Sequence, residues 1–389
     1  MKKKGNMQDE SFRSYALQAN MWIVLLKTGT PLAFYQALNT LYKMLDSLMA
    51  SHINAEAVSA VAYLSQINIT VSSIGMGLAV GSSLKISEAY GAGNYELVGR
   101  RVGNLFALCG LLDAVLLISI PFTPVILRIA RTPEELLEIG SAYFAVEMAG
   151  LAITFFNNAY IAVERARGNT KRIFWLNMAV IVIKLSLTAC FVYLFRCGIT
   201  MIALASVLSQ SFLMGMGLYH LLKKGSAFRL SAENLPLRTE VVFPLLKISL
   251  PVIAEKAAFS AGKVIVNAMC SVYGALTVGA LGICNNLTGI FSNAQSGYQE
   301  GCSAIISQNL GARKPERALE AFKKIFMINL IFGTLGLLLS FASIETISYL
   351  YACSSEGLNV EFRDIIRNIF QYDALGTIVP WGISASVMA

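Results

Sequence analysis

Charge is what this chain has least of. Only 14% of its 389 residues are Asp, Glu, Lys or Arg, while 56% are hydrophobic and the mean hydropathy is +0.61. A soluble protein of that composition would have too little polar surface to cover itself. Histidine is nearly absent: His52 and His220 fall at opposite membrane faces on the span assignment below, so they cannot share a metal site. The seven cysteines are scattered without a CxxC pair, mostly inside apolar runs, which points to packing and away from metal or redox chemistry. The GAGN and GARKP turns match no nucleotide-binding loop, and no nucleophile–base pair or metal cluster stands out, so an enzyme has nothing to rest on. A cleavable signal peptide is not expected, because the first apolar block is too long and lacks a small-residue cleavage pattern.

What the chain does have is apolar runs of membrane-spanning length. Blocks of about 20 residues or more recur near 21–50, 58–87, 102–127, 141–163, 173–195, 199–222, 247–273, 277–308, 322–350 and 366–389. That makes about ten helical spans. The formal net charge of +8 follows the topology they impose. Lys and Arg crowd the N-terminus and the loops after the second, fourth, sixth and eighth spans. The opposite loops hold only Arg128, Arg131, Arg196, Arg363 and Arg367. This positive-inside bias predicts a multi-pass plasma-membrane protein with a cytoplasmic N-terminus, and it removes nucleic acid as a partner.

Charges inside spans cost about 2.5–3.5 kcal/mol each on insertion scales, so each asks for a reason. The first span carries Gln36, Asn39, Lys43 and Asp46 at helical steps, and the seventh carries Lys256, Ser260, Lys263 and Asn267. The second adds Asn68, Ser72 and Ser73, and the eighth adds Asn293, Gln295, Gln299 and Glu300. Such stripes either line a central aqueous cleft or join helices by hydrogen bonds. Glu255, Lys256, Lys263, Glu300 and Asp373 are candidates for a charge network, structural or functional, in the C-terminal half. In the run AVIVIKLSLTACFVYLF (179–195), Lys184 is the sole charge. It stands roughly 16 Å along a helix from Arg172 and Arg196, near the membrane midplane.

The chain also repeats itself. SEAYGAGNYE at 87–96 matches SQNLGARKPE at 307–316, and one constant offset without gaps pairs Lys27 with Lys247, Pro31 with Pro251, Lys43 with Lys263, and Gly77, Gly81 and Gly91 with Gly297, Gly301 and Gly311. An even number of spans separates the copies, so both enter the membrane in the same direction. A parallel repeat of this kind is common among secondary transporters. The expected division is an N-terminal lobe at 1–222, a cytoplasmic linker at 223–246 and a C-terminal lobe at 247–389.

At these residues the chain resembles a known family. Pro31 and Asp46 followed by GMGLAVGSSLKISEAYGAGN, ERARGNTKRIFWLN at 164–177, and SQNLGARKPERA at 307–318 are similar to the multidrug and toxic compound extrusion (MATE) family. The resemblance implies an all-α polytopic fold of two six-helix lobes related by a pseudo-two-fold. The last two helices are absent here, so the second lobe is expected to be incomplete, with about ten of twelve helices, and the chain poorly stable or inactive. It implies a monomeric antiporter exporting amphiphilic organic compounds, with no cofactor beyond a transported proton or sodium ion. Asp46 corresponds to the coupling acid of helix 1. Lys184 and Thr188 fall where some members place an Asn and an Asp of a cation site. Three readings stay open: Asp46 paired with Lys184, Asp46 paired with Lys43, and Lys184 held by another acid or by backbone carbonyls. A fixed ammonium at the site favours proton over sodium. A lipid-linked saccharide flippase of the same superfamily is the alternative, kept open by the lysines at 43, 184, 256 and 263. A receptor or channel fits the two-fold repeat with buried charges less well.

Overall fold

The computed structural model describes residues 6–50, 55–129, 134–195, 199–223, 225–351 and 357–387, with the side chains of 42–50 and 55–67 among those outside the description. No strand occurs among the described residues. The helices are α1 (Asn6–Gln18), α2 (Met21–Ala50), α3 (Ala55–Gly91), α4 (Tyr95–Ser119), α5 (Thr123–Ile129), α6 (Glu134–Ala166), α7 (Thr170–Ala189), α8 (Ile199–Leu222), α9 (Thr239–Ser271), α10 (Ala275–Gly311), α11 (Pro315–Tyr351) and α12 (Gly357–Val387). The long ones follow the apolar blocks of the sequence. Pro121 and Pro124, which lack the N–H that would continue a helix, divide the third block into α4 and α5.

By length and composition, five stretches of the described residues qualify as membrane spans: Tyr95–Arg128, Ser141–Ala166, Thr170–Leu194, Thr200–Leu222 and Pro315–Thr346. Only 22% of the apolar window of the first is buried. Val115, Ile118, Val182, Leu194, Leu338 and Leu339 lie exposed on such helices, as lipid-facing side chains do. The remaining long helices, α2, α3, α9, α10 and α12, carry the polar stripes that dilute their hydropathy.

Helix α1 was not foreseen, because it is short and polar. It lies across the face that carries the basic loops, here called the basic face. Arg13 donates to the carbonyl of Gly91 at the end of α3 through Nε at 3.0 Å and Nη2 at 2.8 Å. From the turn between α10 and α11, Lys314 donates to the Leu17 carbonyl at 3.1 Å and Arg317 to that of Ala19 at 2.8 Å. Both interactions place cations on the exposed carbonyls of a helix C-terminus, where the macrodipole favours them.

The internal repeat is visible in the backbone. After α3, the N–H of Gly93 bonds to Tyr90 and that of Asn94 to Ala89, both at 3.0 Å. After α10, Arg313 bonds to Leu310 at 3.0 Å and Lys314 to Asn309 at 2.9 Å, the equivalent pairs. Gly93 has φ +76° and Arg313 φ +57°, so one left-handed position holds a glycine and its counterpart an arginine. For an L side chain that conformation costs about 1–2 kcal/mol. Gly93→Ala is therefore expected to lower stability by about 1 kcal/mol, whereas Arg313→Gly lowers it not at all. Thermal unfolding of the two variants in detergent checks the contrast.

The fold has two lobes. In the N-terminal lobe α3 packs on α6 and α4, α6 on α8, and α7 on α8; in the C-terminal lobe α10 packs on α11 and α12, and α11 on α12. Across the lobes the main contacts are α2 with α10 and α3 with α9. The segment before α9 folds against α4, where Asn104 donates to the carbonyls of Asn234 at 3.0 Å and Pro236 at 3.2 Å and accepts from the Arg238 N–H at 3.2 Å.

Candidate functional site

Four helices of the N-terminal lobe, α2, α7, α6 and α3, touch one another in a ring. Glu147 stands at the middle of α6 and Asn68 in the first half of α3, while Lys184 and Asp46 lie toward the ends of α7 and α2. Asn68 on α3 donates through Nδ2 to the carboxylate of Glu147 on α6, and Ser72 Oγ donates to Asn68 Oδ1 at 3.3 Å. On α7, Lys184 is half-buried and makes an interaction of its own. One turn further, Thr188 is fully buried with no partner for its hydroxyl among the described residues. A π-helical turn at Cys190–Leu194 then ends the helix, a distortion frequent at functional sites. The side chains of Lys43 and Asp46 lie outside the described residues, although their backbone belongs to α2. Glu147 has no visible partner in the sequence; the signal for it was its isolation as an acid within an apolar span, facing a polar stripe on α3.

The polar stripes of α2 and α10 divide between partly exposed and buried positions. Gln36, Asn39 and Gln299 are half-buried, and Asn293 is exposed while donating to Thr40 Oγ1 across the lobes at 2.8 Å. Gln295 is instead buried inside its own lobe, donating to the Asn329 carbonyl on α11 at 3.2 Å.

Of the expected C-terminal charges, Lys263 and Asp373 interact electrostatically, while Glu300 pairs elsewhere. Asp373 accepts from Thr288 at 2.7 Å and Thr377 at 2.9 Å. Lys263 lies over the ring of Phe259, 5.0 Å from its centroid, and that ring meets Trp381 at 4.6 Å. Glu255 is exposed and Lys256 half-buried. Glu300 leaves the group altogether: its carboxylate is 2.6 Å from Arg165 Nη2 of the other lobe, both side chains 8% exposed. The reason is local. Arg165 points from α6 toward α10, about 100° around the helix from Glu164, which bonds Arg172 at 3.1 Å instead. Arg165 falls just past the apolar block at 141–163, so the sequence gives no sign of a buried partner for it.

The lobes meet in a close seam toward the basic face. A Cβ placed on Gly91 would collide with the Gln308 carbonyl, and one on Gly311 with the Glu88 carbonyl, its equivalent in the repeat. Gly77 faces Ile253 as Gly297 faces Ala33, and Gly81 faces Ser249 as Gly301 faces Gly29. Cross-lobe hydrogen bonds accompany these approaches: Thr30 with Tyr298 at 2.8 Å, Ser249 to the Leu78 carbonyl at 3.3 Å, and Gln308 to the Ala166 carbonyl at 2.8 Å. Toward the opposite face, Gly262 on α9 has open space around it among the described residues, and Met269, Val272 and Tyr273 are exposed.

Comparison with known proteins agrees with this architecture. The MatE family model matches residues 31–190 and 251–372, well over half of the chain and both halves of the repeat. A curated relative, the probable multidrug resistance protein YoeA of Bacillus subtilis, is 25% identical over 332 residues, covering 83% of this chain and 72% of its own. Among solved structures, MATE in complex with MaL6 superposes with a TM-score of 0.84 at 18% identity, covering 96% of this chain and 86% of that one. An outward-facing multidrug resistance MATE transporter of the MOP superfamily superposes at 0.80 with 21% identity and the same coverage. With its repeat, its two lobes and both matched segments, the chain belongs to the MatE family of multi-pass membrane transporters, the multidrug and toxic compound extrusion proteins, and is not an enzyme.

Proposed function

We propose that the protein is a secondary active antiporter that exports amphiphilic organic compounds in exchange for protons by alternating access. The observation that carries this reading is the polar cluster deep in the N-terminal lobe, where Glu147 and Asn68 bond on helices ringed with those of Lys184 and Asp46. A carboxylate in such a place can be tuned by burial and a nearby cation to bind and release a proton. Lys184 supplies a fixed positive charge there, which repels sodium and so favours the proton. The basic face is cytoplasmic on this reading, by the positive-inside bias. The structure then corresponds to a state closed to the cytoplasm, with substrate held between the lobes near Gln36, Asn39, Asn293 and Gln299. The protein acts as a monomer in the plasma-membrane bilayer, with no cofactor other than the coupling ion.

Everted membrane vesicles containing the chain provide the test, and transport by it would at the same time overturn the expectation that the chain is inactive. Uptake of ethidium, a cationic amphiphile, is expected on imposing an acid-inside gradient in sodium-free buffer, and an uncoupler should abolish it. Uptake that requires sodium and ignores the uncoupler would overturn proton coupling. Movement of a lipid-linked saccharide without ethidium transport would favour a flippase, for which the lysines of the crevice could hold a pyrophosphate.

A further inference from the structure

We infer that Arg165 and Glu300 are gating residues: their ion pair is the latch that registers closure of the lobes at the basic face. The inference rests on the alternating-access reading above and adds to it the groups that make one closed state discrete. Arg165 ends α6 in the N-terminal lobe and Glu300 lies on α10 in the C-terminal lobe, so any rotation that opens the basic face must separate them.

The glycine approaches of the seam are pseudo-symmetric, whereas the bond between Thr30 and Tyr298 is not, since the repeat places Leu250 and Leu78 there. Each glycine approach on one side has its repeat-related partner on the other, and backbone meets backbone without charge. The ion pair breaks that symmetry, since the repeat places Val80 where Glu300 stands in the second copy. A seam made only of small residues and carbonyls closes by shape. A buried pair of opposite charges adds a condition: closure is tolerated only when both are present and in register.

The energetics suit a latch and not a permanent staple. Desolvating two charges largely offsets their attraction, so a buried pair adds little net stability over the same groups in water. When the basic face opens, water reaches both side chains and each is solvated separately. The pair can therefore form and break through a transport cycle. Removal of one partner is different, because closure would then bury an uncompensated charge, and the equilibrium moves toward the open state. Removal of both charges eliminates that penalty and should restore closure by shape alone.

The seam contains its own reporter. Cys302 is fully buried two positions from Glu300, with its thiol 3.8 Å from the Leu25 carbonyl on α2 across the lobe boundary. Opening the seam exposes it. Cys109, in the core of the N-terminal lobe, and Cys284, buried against α12 in the C-terminal lobe, do not lie between the lobes and serve as controls of folding.

The experiment is maleimide labelling of the full chain in nanodiscs, read cysteine by cysteine by peptide mass spectrometry, for the parent protein, Glu300→Gln, Arg165→Gln and the double variant. Each single variant is expected to raise the labelling rate of Cys302 by about tenfold or more, and the double variant to return it near the parent rate, with Cys109 and Cys284 protected throughout. Equal protection of Cys302 in all four proteins would overturn the latch. So would a double variant as reactive as the singles, or singles in which Cys109 and Cys284 become reactive together with Cys302. Labelling needs neither substrate nor gradient, so a failed transport reading and a failed latch are distinguishable.

Discussion

Lys184→Ala is expected to reduce proton-driven ethidium transport about tenfold or more, which is about 1.4 kcal/mol of lost coupling, while Lys184→Arg retains most of it. The argument is electrostatic. The lysine stands on α7, which packs on α2 and touches α6, the helices of Asp46 and Glu147. Without a cation, burial favours the protonated form of both acids, and proton release to complete the cycle becomes harder. Arginine keeps the charge but spreads it over a planar group, so the variant should transport more slowly without losing its independence of sodium. If Lys184→Ala transports as the parent does, the lysine is a structural cation and proton coupling must lie elsewhere. A variant that gains sodium dependence would support the role assigned to the ammonium, since its removal reopens the site to a metal cation.

The second large effect is steric. Gly91→Val and Gly311→Val should each destabilise the closed form by about 3 kcal/mol, the upper end of overpacking costs, because a clash with a backbone carbonyl has no rotamer that relieves it. The two values should agree, since Gly91 against Gln308 and Gly311 against Glu88 are equivalent contacts of the repeat. A Cβ added to Gly110 on α4 would meet no described atom within 4 Å, so Gly110→Val is the control with little change. Thermal unfolding in detergent measures all three. A small shift for Gly91→Val alone would mean that the seam is looser than the glycine contacts describe.

Much of this architecture is legible in the sequence because it rests on periodic signals. The apolar blocks at 21–50 and 199–222 coincide with α2 and α8, and the repeat read from Gly77, Gly81 and Gly91 reappears as paired glycine contacts between lobes. What the sequence does not reveal is partner choice. Glu300 was grouped with the lysines of its own lobe, yet it pairs with Arg165 because the lobes fold face to face. Gln295 and Gln299 are four residues apart and on nearly the same face of α10, yet one is bonded into α11 and the other is half-buried; the difference is which neighbour packs at each level, which hydropathy does not encode. Helix α1 escaped notice for a further reason: its apolar face is short, Phe12, Tyr15 and Ala16, and packs against other helices, while Lys314 and Arg317 bond its last carbonyls.

The central claim is exchange of protons for an organic cation, and drug-elicited proton flux measures it most directly. Proteoliposomes containing the chain would be loaded with a pH-sensitive dye, given an acidic interior in sodium-free buffer, and then supplied with ethidium outside. The account predicts that ethidium dissipates the gradient faster in protein-containing vesicles than in empty ones, and that Lys184→Ala loses this response. A gradient indifferent to ethidium, or one that responds only when sodium is added, would contradict it.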